Sequence, residues 1–199
     1  NEIYGLWQIG SCGSDENARR YDLFSKAMKA VDPNISLLAT GNHFDFLEPA
    51  LHLDYICADQ RWHQALVDRC GSELEMIALH SLADHNRDME DFTDEEVYSA
   101  LMAQPLKWER EYIPDLLEQL NPQGGGKVTL AITEWGILGD SAQRPRVHNY
   151  GSVPYVGFFL NFMIRNAPHV PLANATAFMH GGCMRKIGGK VCFDAQYYA

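Results

Sequence analysis

The sequence predicts an α/β fold built on a parallel sheet. Short apolar runs rich in β-branched residues alternate with longer segments whose apolar residues recur every three or four positions. This alternation of strand and helix implies parallel strands with covering helices. The chain has 199 residues and 46% hydrophobic composition, which suffices for one domain with its own core.

Three segments carry the helical pattern. Residues 21–31 show apolar positions at intervals of three and four, and the pair Asp32-Pro33 ends the segment. Residues 94–120 place Trp108 and other large apolar residues on one face. Residues 155–165 are apolar on most sides, which predicts a buried helix.

Four segments are predicted as strands, and polar residues follow them closely. The predicted strands are residues 35–39, 76–79, 128–132 and 172–179. In parallel α/β folds the active site gathers at the carboxyl ends of the strands. Polar residues on successive units therefore predict the mouth of a barrel: Asn42, His43, His80, Glu134 and His180, with Asn1 and Glu2 at the start of the chain.

Charge and cysteine usage exclude some functions and favour others. The net charge of −10 argues against nucleic acid and anionic membranes as partners, since both attract clustered Lys and Arg. No apolar run approaches the roughly 18 residues that a membrane span requires. A weakly charged substrate such as a sugar fits better. Five scattered cysteines without a CxxC pair are typical of a reducing compartment, which favours the cytoplasm.

Glu2 and Glu134 have the residue type and position that glycoside hydrolysis needs. One carboxyl group must stay protonated to donate to the leaving oxygen, while an ionised carboxylate attacks. In retaining enzymes the two groups stand roughly 5–5.5 Å apart. Side chains at the ends of two parallel strands of one barrel can meet this distance despite their separation in sequence.

The sequence around both glutamates resembles glycoside hydrolase family 51, the α-L-arabinofuranosidases. The run from Asn1 to Gly10 reads NEIYGLWQIG and matches the pattern N-E-x-x-G-x-W-Q-x-G that follows the fourth barrel strand in that family. The run ITEWG, residues 132–136, resembles the segment that carries the family's nucleophile before a Trp. Residues 27–33 and the strand that follows are also similar to this family.

The resemblance implies a role for each matching position. Glu2 would be the general acid/base and Glu134 the nucleophile of a retaining arabinofuranosidase that acts on plant polysaccharides or their oligosaccharides. Asn1, Trp7, His80 and Trp135 would contact the sugar, and neither a metal nor an organic cofactor would be needed. The chain departs from the family pattern at Ser81-Leu82, after the strand-six histidine, and at Gly136, where the family often has Asn.

The resemblance also implies which part of the fold the chain contains. The expected fold is a parallel (β/α)8 barrel of the TIM type, and residues 1–199 would form its second half, from the end of strand four to strand eight. Four strands cannot close a barrel, and an open half exposes sheet edges and helix surface. We therefore expect a partial catalytic domain that is completed by the missing barrel half or by a second copy.

Three alternatives remain open at the level of sequence. The first is an endo-β-glucanase of the same clan, and the second is a catalytically incomplete fragment that only binds carbohydrate. A barrel metallohydrolase is the third, although neither H-x-H nor HExxH spacing occurs. Its candidate ligands would be His43, Asp45, His80, Asp84, His85 and Asp88.

Overall fold

The computed structural model describes residues 2–42, 56–57, 59–83, 93–122, 127–137, 152–176 and 183–198. The helices are α1 (Ser14–Val31), α2 (Trp62–Cys70), α3 (Asp94–Lys107), α4 (Ile113–Leu120) and α5 (Ser152–Arg165). The strands are β1 (Leu38–Thr40), β2 (Met76–Ala83), β3 (Thr129–Ile137), β4 (Leu172–Ala175), β5 (Met184–Ile187) and β6 (Lys190–Phe193).

The fold of the described residues is α/β. A four-stranded parallel sheet has the order β1-β2-β3-β4, and β5 and β6 form a separate antiparallel hairpin. This confirms the fold class that the sequence predicts.

The register of the first two strands shows how closely the sheet is packed. Leu38 lies opposite Met76, and Thr40 lies opposite Ala78. Directly after β1 the Gly41 N–H donates to the Ala78 carbonyl oxygen at 2.9 Å. A Cβ at Gly41 would overlap the Ile77 side chain, so this close approach requires glycine.

The chain divides into two compact units, and each has its own core. The first unit comprises Asn1–Leu79 and Pro114–Ala131, and the second comprises His80–Ile113 and Ile132–Ala199. Fully buried side chains in the first unit include Trp62, Leu66, Ile77 and Leu130. Those in the second include Trp108, Tyr155, Phe159 and Phe162. That residues 1–199 form one domain stays a prediction.

Charges and capping contacts stabilise the ends of two helices. Asp15 and Glu16 lie in the first turn of α1 and Lys29 in its last turn, where these charges complement the helix dipole. Helix α3 begins with a capping box, in which Thr93 accepts from the Glu96 N–H and Glu96 accepts from the Thr93 N–H. Each bond satisfies a backbone donor that the first helical turn leaves unpaired.

Several predicted boundaries were wrong. Helix α1 begins at Ser14 rather than at residue 21, and β1 begins at Leu38 rather than at residue 35. β2 continues to Ala83 and β3 to Ile137, so that His80 and Glu134 lie within strands rather than after them. Strand ends depend on backbone pairing with neighbouring strands, which the side-chain pattern of one segment does not reveal.

Other elements were not predicted. Helix α2 and the hairpin β5-β6 had no counterpart in the sequence analysis. The predicted helix over residues 94–120 is divided into α3, a π-helical turn at Trp108–Tyr112, and α4. Pro105 lies inside α3, before this turn, and has no backbone N–H with which to donate to the carbonyl oxygen four residues earlier.

Two further observations concern the cysteines and the helices. Cys12, Cys57, Cys70, Cys183 and Cys192 are all free thiols. No helix in the described part of the chain has the length and apolar character needed to cross a membrane.

Candidate active site

Glu134 lies in β3 of the second unit, and both of its carboxylate oxygens have a polar neighbour. Its Oε1 atom is 3.7 Å from Nε2 of His80, which forms an ion pair when the imidazole is protonated. Its Oε2 atom accepts a hydrogen bond from the Thr176 hydroxyl at 3.4 Å. The Glu134 side chain is 31% exposed, so the carboxylate can be reached from solvent.

The backbone next to Glu134 brings Thr176 to this position. Thr176 follows β4 directly, and its N–H donates to the carbonyl oxygen of Trp135 at 3.0 Å. Gly136 has a φ of 144°, a conformation that residues with a side chain rarely adopt. The departure from the family pattern at Gly136 therefore has a local conformational reason.

Trp135 packs against α5. Its indole is 6% exposed and stacks on the ring of Phe159, with centroids 5.1 Å apart and planes 10° from parallel. Stacking of this kind stabilises a core beyond the area it buries. The predicted contact between Trp135 and a sugar stays a prediction, and the contacts described for its ring are those of a core residue.

Glu2 lies in the first unit and accepts two hydrogen bonds from nearby aromatic side chains. Nε1 of Trp7 donates to Oε2 at 2.9 Å, and the Tyr4 hydroxyl donates to Oε1 at 3.3 Å. A Cβ at position 5 would overlap the Trp7 indole, so Gly5 lets that ring fold back toward Glu2. This contact gives a physical reason for the glycine and the tryptophan in the motif. Trp7 remains 54% exposed.

Main-chain bonds hold the segment that carries Glu2. The Gly5 N–H donates to the Glu2 carbonyl oxygen at 2.8 Å. The Cys12 N–H donates to Ile3 at 2.9 Å, and the Cys57 N–H donates to Tyr4 at 2.6 Å. The acid/base candidate therefore stands on a tightly bonded turn, which restricts the positions its carboxylate can take.

His63, on α2, supports the end of β1 from within the first unit. Its Nε2 accepts from the Asn42 N–H at 3.1 Å, and its Nδ1 lies 3.1 Å from Oε1 of Gln119. Gln119 in turn donates to Asp115 at 2.8 Å. The imidazole is 2% exposed, and this burial lowers the pKa of His63. A neutral imidazole with Nδ1 protonated satisfies both contacts.

The structure brings together some of the predicted site residues. His80 lies near Glu134, and Trp7 lies against Glu2. Tyr4 and Thr176 were not predicted as site residues. In the sequence, Tyr4 stands two residues after Glu2, and Thr176 lies within the predicted strand over residues 172–179. The site roles inferred from the motifs stay predictions.

Some predicted residues lie outside the part of the chain that the structure describes. They are Asn1, His43, Asp45, Asp84, His85, Asp88 and His180. Among the residues that are described, no group of three or more His, Cys, Asp or Glu side chains is arranged to hold a metal ion. Because most of the candidate ligands are not among them, the expectation that no metal is needed stays a prediction.

Comparison with solved structures identifies the class of fold. The chain aligns with the α-L-arabinofuranosidase of Thermotoga maritima with a TM-score of 0.69 and 20% identity, over 99% of this chain and 37% of that one. It aligns with AbfB of Bifidobacterium longum, a family 51 α-L-arabinofuranosidase, with a TM-score of 0.72 and 12% identity, over 100% of this chain and 42% of that one. At these identities the likeness is one of fold, and the fold is that of part of a TIM barrel.

A relative is also detectable by sequence. The chain is 23% identical over 188 residues to α-L-arabinofuranosidase C of Emericella nidulans, which covers 87% of this chain and 34% of that protein. No family model matches the chain. These comparisons confirm the resemblance to family 51 arabinofuranosidases that the motifs indicate. The chain spans between a third and just over two fifths of the length of these relatives.

Proposed function

We propose that this chain carries both catalytic carboxylates of a retaining glycoside hydrolase that removes terminal α-L-arabinofuranosyl residues from plant polysaccharides or oligosaccharides. The observation that carries the proposal is the pair Glu2 and Glu134, found in two motifs that match the same enzyme family. The arabinofuranosidases to which the chain is similar support the substrate class.

Each carboxylate has a distinct role in the proposed double displacement. Glu134 attacks the anomeric carbon, and the glycosidic bond breaks as Glu2 gives its proton to the departing oxygen. Water then attacks the same carbon, Glu2 accepts a proton from that water, and the ester bond to Glu134 breaks. The contacts of Trp7 and Tyr4 with Glu2 restrict its orientation, as proton transfer requires.

The remaining roles follow the motif positions. Asn1, Trp7, His80 and Trp135 are proposed to contact the sugar, and the reaction uses neither metal nor organic cofactor. The five free thiols support a reducing compartment, and we propose the cytoplasm.

One other function is favoured by a specific observation. The chain covers only 34% of α-L-arabinofuranosidase C and 37–42% of the structural relatives. A chain of this extent can bind carbohydrate without hydrolysing it. Alternatively, it hydrolyses carbohydrate only together with a partner that supplies the other strands of a barrel. Turnover by the chain itself separates these possibilities.

The first experiment is hydrolysis of an aryl α-L-arabinofuranoside by the full chain and by Glu134→Gln. We expect Glu134→Gln to lower the rate of hydrolysis by on the order of 10⁴-fold or more, because no carboxylate remains at position 134 to form the covalent intermediate. Glu118→Gln makes the same chemical change at an exposed position of α4 and is expected to keep full activity. Circular dichroism of all three proteins shows whether they are folded.

The role of Glu2 is tested by changing the leaving group. Glu2→Gln is expected to lower the rate of glycosidic bond cleavage about 10²–10⁴-fold on a substrate with a poor leaving group. The same rate should fall much less on a dinitrophenyl substrate, because that leaving group departs without being protonated. Azide should restore turnover of the activated substrate, because it attacks the intermediate without needing a base. Equal losses on both substrates would contradict the assignment of Glu2 as general acid.

The outcomes distinguish the candidate functions. A folded chain without turnover that still binds arabino-oligosaccharides in calorimetry would favour the binding fragment. Turnover of β-glucan oligosaccharides that is lost in Glu134→Gln would keep the mechanism and replace the substrate. Activity that a chelator removes would favour the metallohydrolase instead.

A further inference from the structure

We propose that Thr176 is a positioning residue for Glu134. The Thr176 hydroxyl holds Oε2 of Glu134 as the oxygen that becomes the ester carbonyl, which leaves Oε1 of Glu134 to attack. This inference rests on the proposed function of Glu134 as nucleophile. Thr176 lies outside the sequence motifs that contain Glu2 and Glu134.

The geometry around the carboxylate separates its two oxygens. Oε2 accepts from the Thr176 hydroxyl at 3.4 Å, whereas the His80 ring lies on the side of Oε1, with Nε2 at 3.7 Å. The 3.4 Å distance is at the long end for a hydrogen bond, so we expect orientation and a modest energy rather than strong stabilisation. The Thr176 contact disfavours rotation of the carboxylate about its last torsion, which is otherwise broad.

The backbone fixes the donor relative to the acceptor. The Thr176 N–H donates to the Trp135 carbonyl oxygen at 3.0 Å, so Thr176 is bonded to the residue that follows Glu134. Trp135 is itself held by stacking on Phe159 in α5. Thr176 is therefore held beside Glu134 by a backbone hydrogen bond to the adjacent residue, Trp135, whose ring packs on α5.

The proposed reaction makes the two steps respond differently to the hydroxyl. In the first step Oε1 bonds to the anomeric carbon, the glycosidic bond breaks, and negative charge leaves Oε2. In the second step water bonds to that carbon and the Oε1 bond breaks, so charge returns to the carboxylate. A donor to Oε2 stabilises the returning charge, which speeds the second step. In the first step this electronic effect opposes the benefit of orientation.

Thr176→Val keeps the shape of the side chain and removes the hydroxyl, and Thr176→Ser keeps the hydroxyl. On a dinitrophenyl arabinofuranoside, where breakdown of the intermediate limits turnover, we expect Thr176→Val to lower kcat by about 3- to 10-fold. KM should fall by a similar factor because the intermediate accumulates, and kcat/KM should change little. Thr176→Ser should restore both constants to within about twofold.

A purely structural role for Thr176 gives a different pattern. Loss of folded protein lowers the apparent kcat without lowering KM, so a purely structural role would not make both constants fall together. Thr129→Val makes the same chemical change elsewhere, on β3, and is expected to leave both constants unchanged. A fall in kcat with unchanged or raised KM in Thr176→Val would overturn the proposal.

A second measurement does not depend on turnover. With ¹³C-labelled glutamate, the carboxyl resonance of Glu134 is assigned by its loss in Glu134→Gln. We expect Thr176→Val to shift this resonance and Thr176→Ser to return it. An unchanged resonance in Thr176→Val would overturn the proposal. A responsive resonance in a chain without turnover would support the contact and refute the proposed function instead.

Discussion

At the scale of single residues, His63 links burial to the pH dependence of folding. Burial lowers the pKa of His63, although the bond with Gln119 and the charge of Asp115 act in the opposite direction. In the unfolded chain the imidazole titrates at about pH 6.5, so the unfolded chain binds this proton more readily than the folded chain does. The stability that the neutral imidazole contributes is complete above that pH, declines below it, and is lost as the pH falls through the lowered folded-state pKa.

We therefore expect the free energy of unfolding to fall between pH 7.5 and 5.5, and to fall less in His63→Gln. Urea unfolding followed by tryptophan fluorescence at the two pH values measures this difference. His169→Gln removes an exposed imidazole and is expected to keep the decline of the parent chain. An equal decline in His63→Gln and the parent chain would show that His63 does not contribute to it.

At the scale of elements, the start of α3 depends on one reciprocal pair of bonds. The Thr93 hydroxyl accepts from the Glu96 N–H at 3.3 Å, and the Glu96 carboxylate accepts from the Thr93 N–H at 2.8 Å. These bonds to Thr93 lower the pKa of Glu96. The ends of helices leave such donors unpaired unless a side chain or water satisfies them.

Thr93→Ala is expected to reduce the free energy of unfolding by about 1 kcal/mol, because the cap loses its side-chain acceptor. Thr93→Ser keeps the hydroxyl, and its free energy of unfolding is expected to stay within a few tenths of a kcal/mol of that of the parent chain. Urea unfolding at pH 7 measures both variants. If Ser destabilised α3 as much as Ala, the hydroxyl would not be the source of the effect.

At the scale of the whole molecule, 26 acidic residues against 16 basic ones give a net charge of −10 at pH 7 and a pI of about 5.2. Electrostatic repulsion between copies keeps such a chain in solution and vanishes as the net charge approaches zero. We expect solubility to be lowest near pH 5.2 and to rise on both sides. The protein concentration remaining in the supernatant between pH 4 and 8 measures this. Solubility that stayed constant over that range would mean that charge does not control association.

The sequence pattern predicted some features of the molecule and failed at others. It predicted the α/β class, the parallel sheet and the resemblance that the comparisons confirm, because strand and helix periodicities and short motifs are local properties. It failed at the ends of β2 and β3, where pairing with neighbouring strands extends the strands past His80 and Glu134. It also missed α2, whose buried face includes Trp62 and Leu66.

The sequence by itself determined the alternating architecture, the acidic charge and the two glutamates that the motifs single out. Only the tertiary structure decided that Tyr4 and Trp7 hold Glu2, that Thr176 contacts Glu134, and that His63 supports Asn42. The contacts of Tyr4 and Trp7 with Glu2 depend on the local conformation of the turn that carries them. For Thr176 and His63 the physical reason is distance along the chain. Thr176 is 42 residues from Glu134 and His63 is 21 from Asn42, so such contacts arise only when the sheet and its helices bring the segments together.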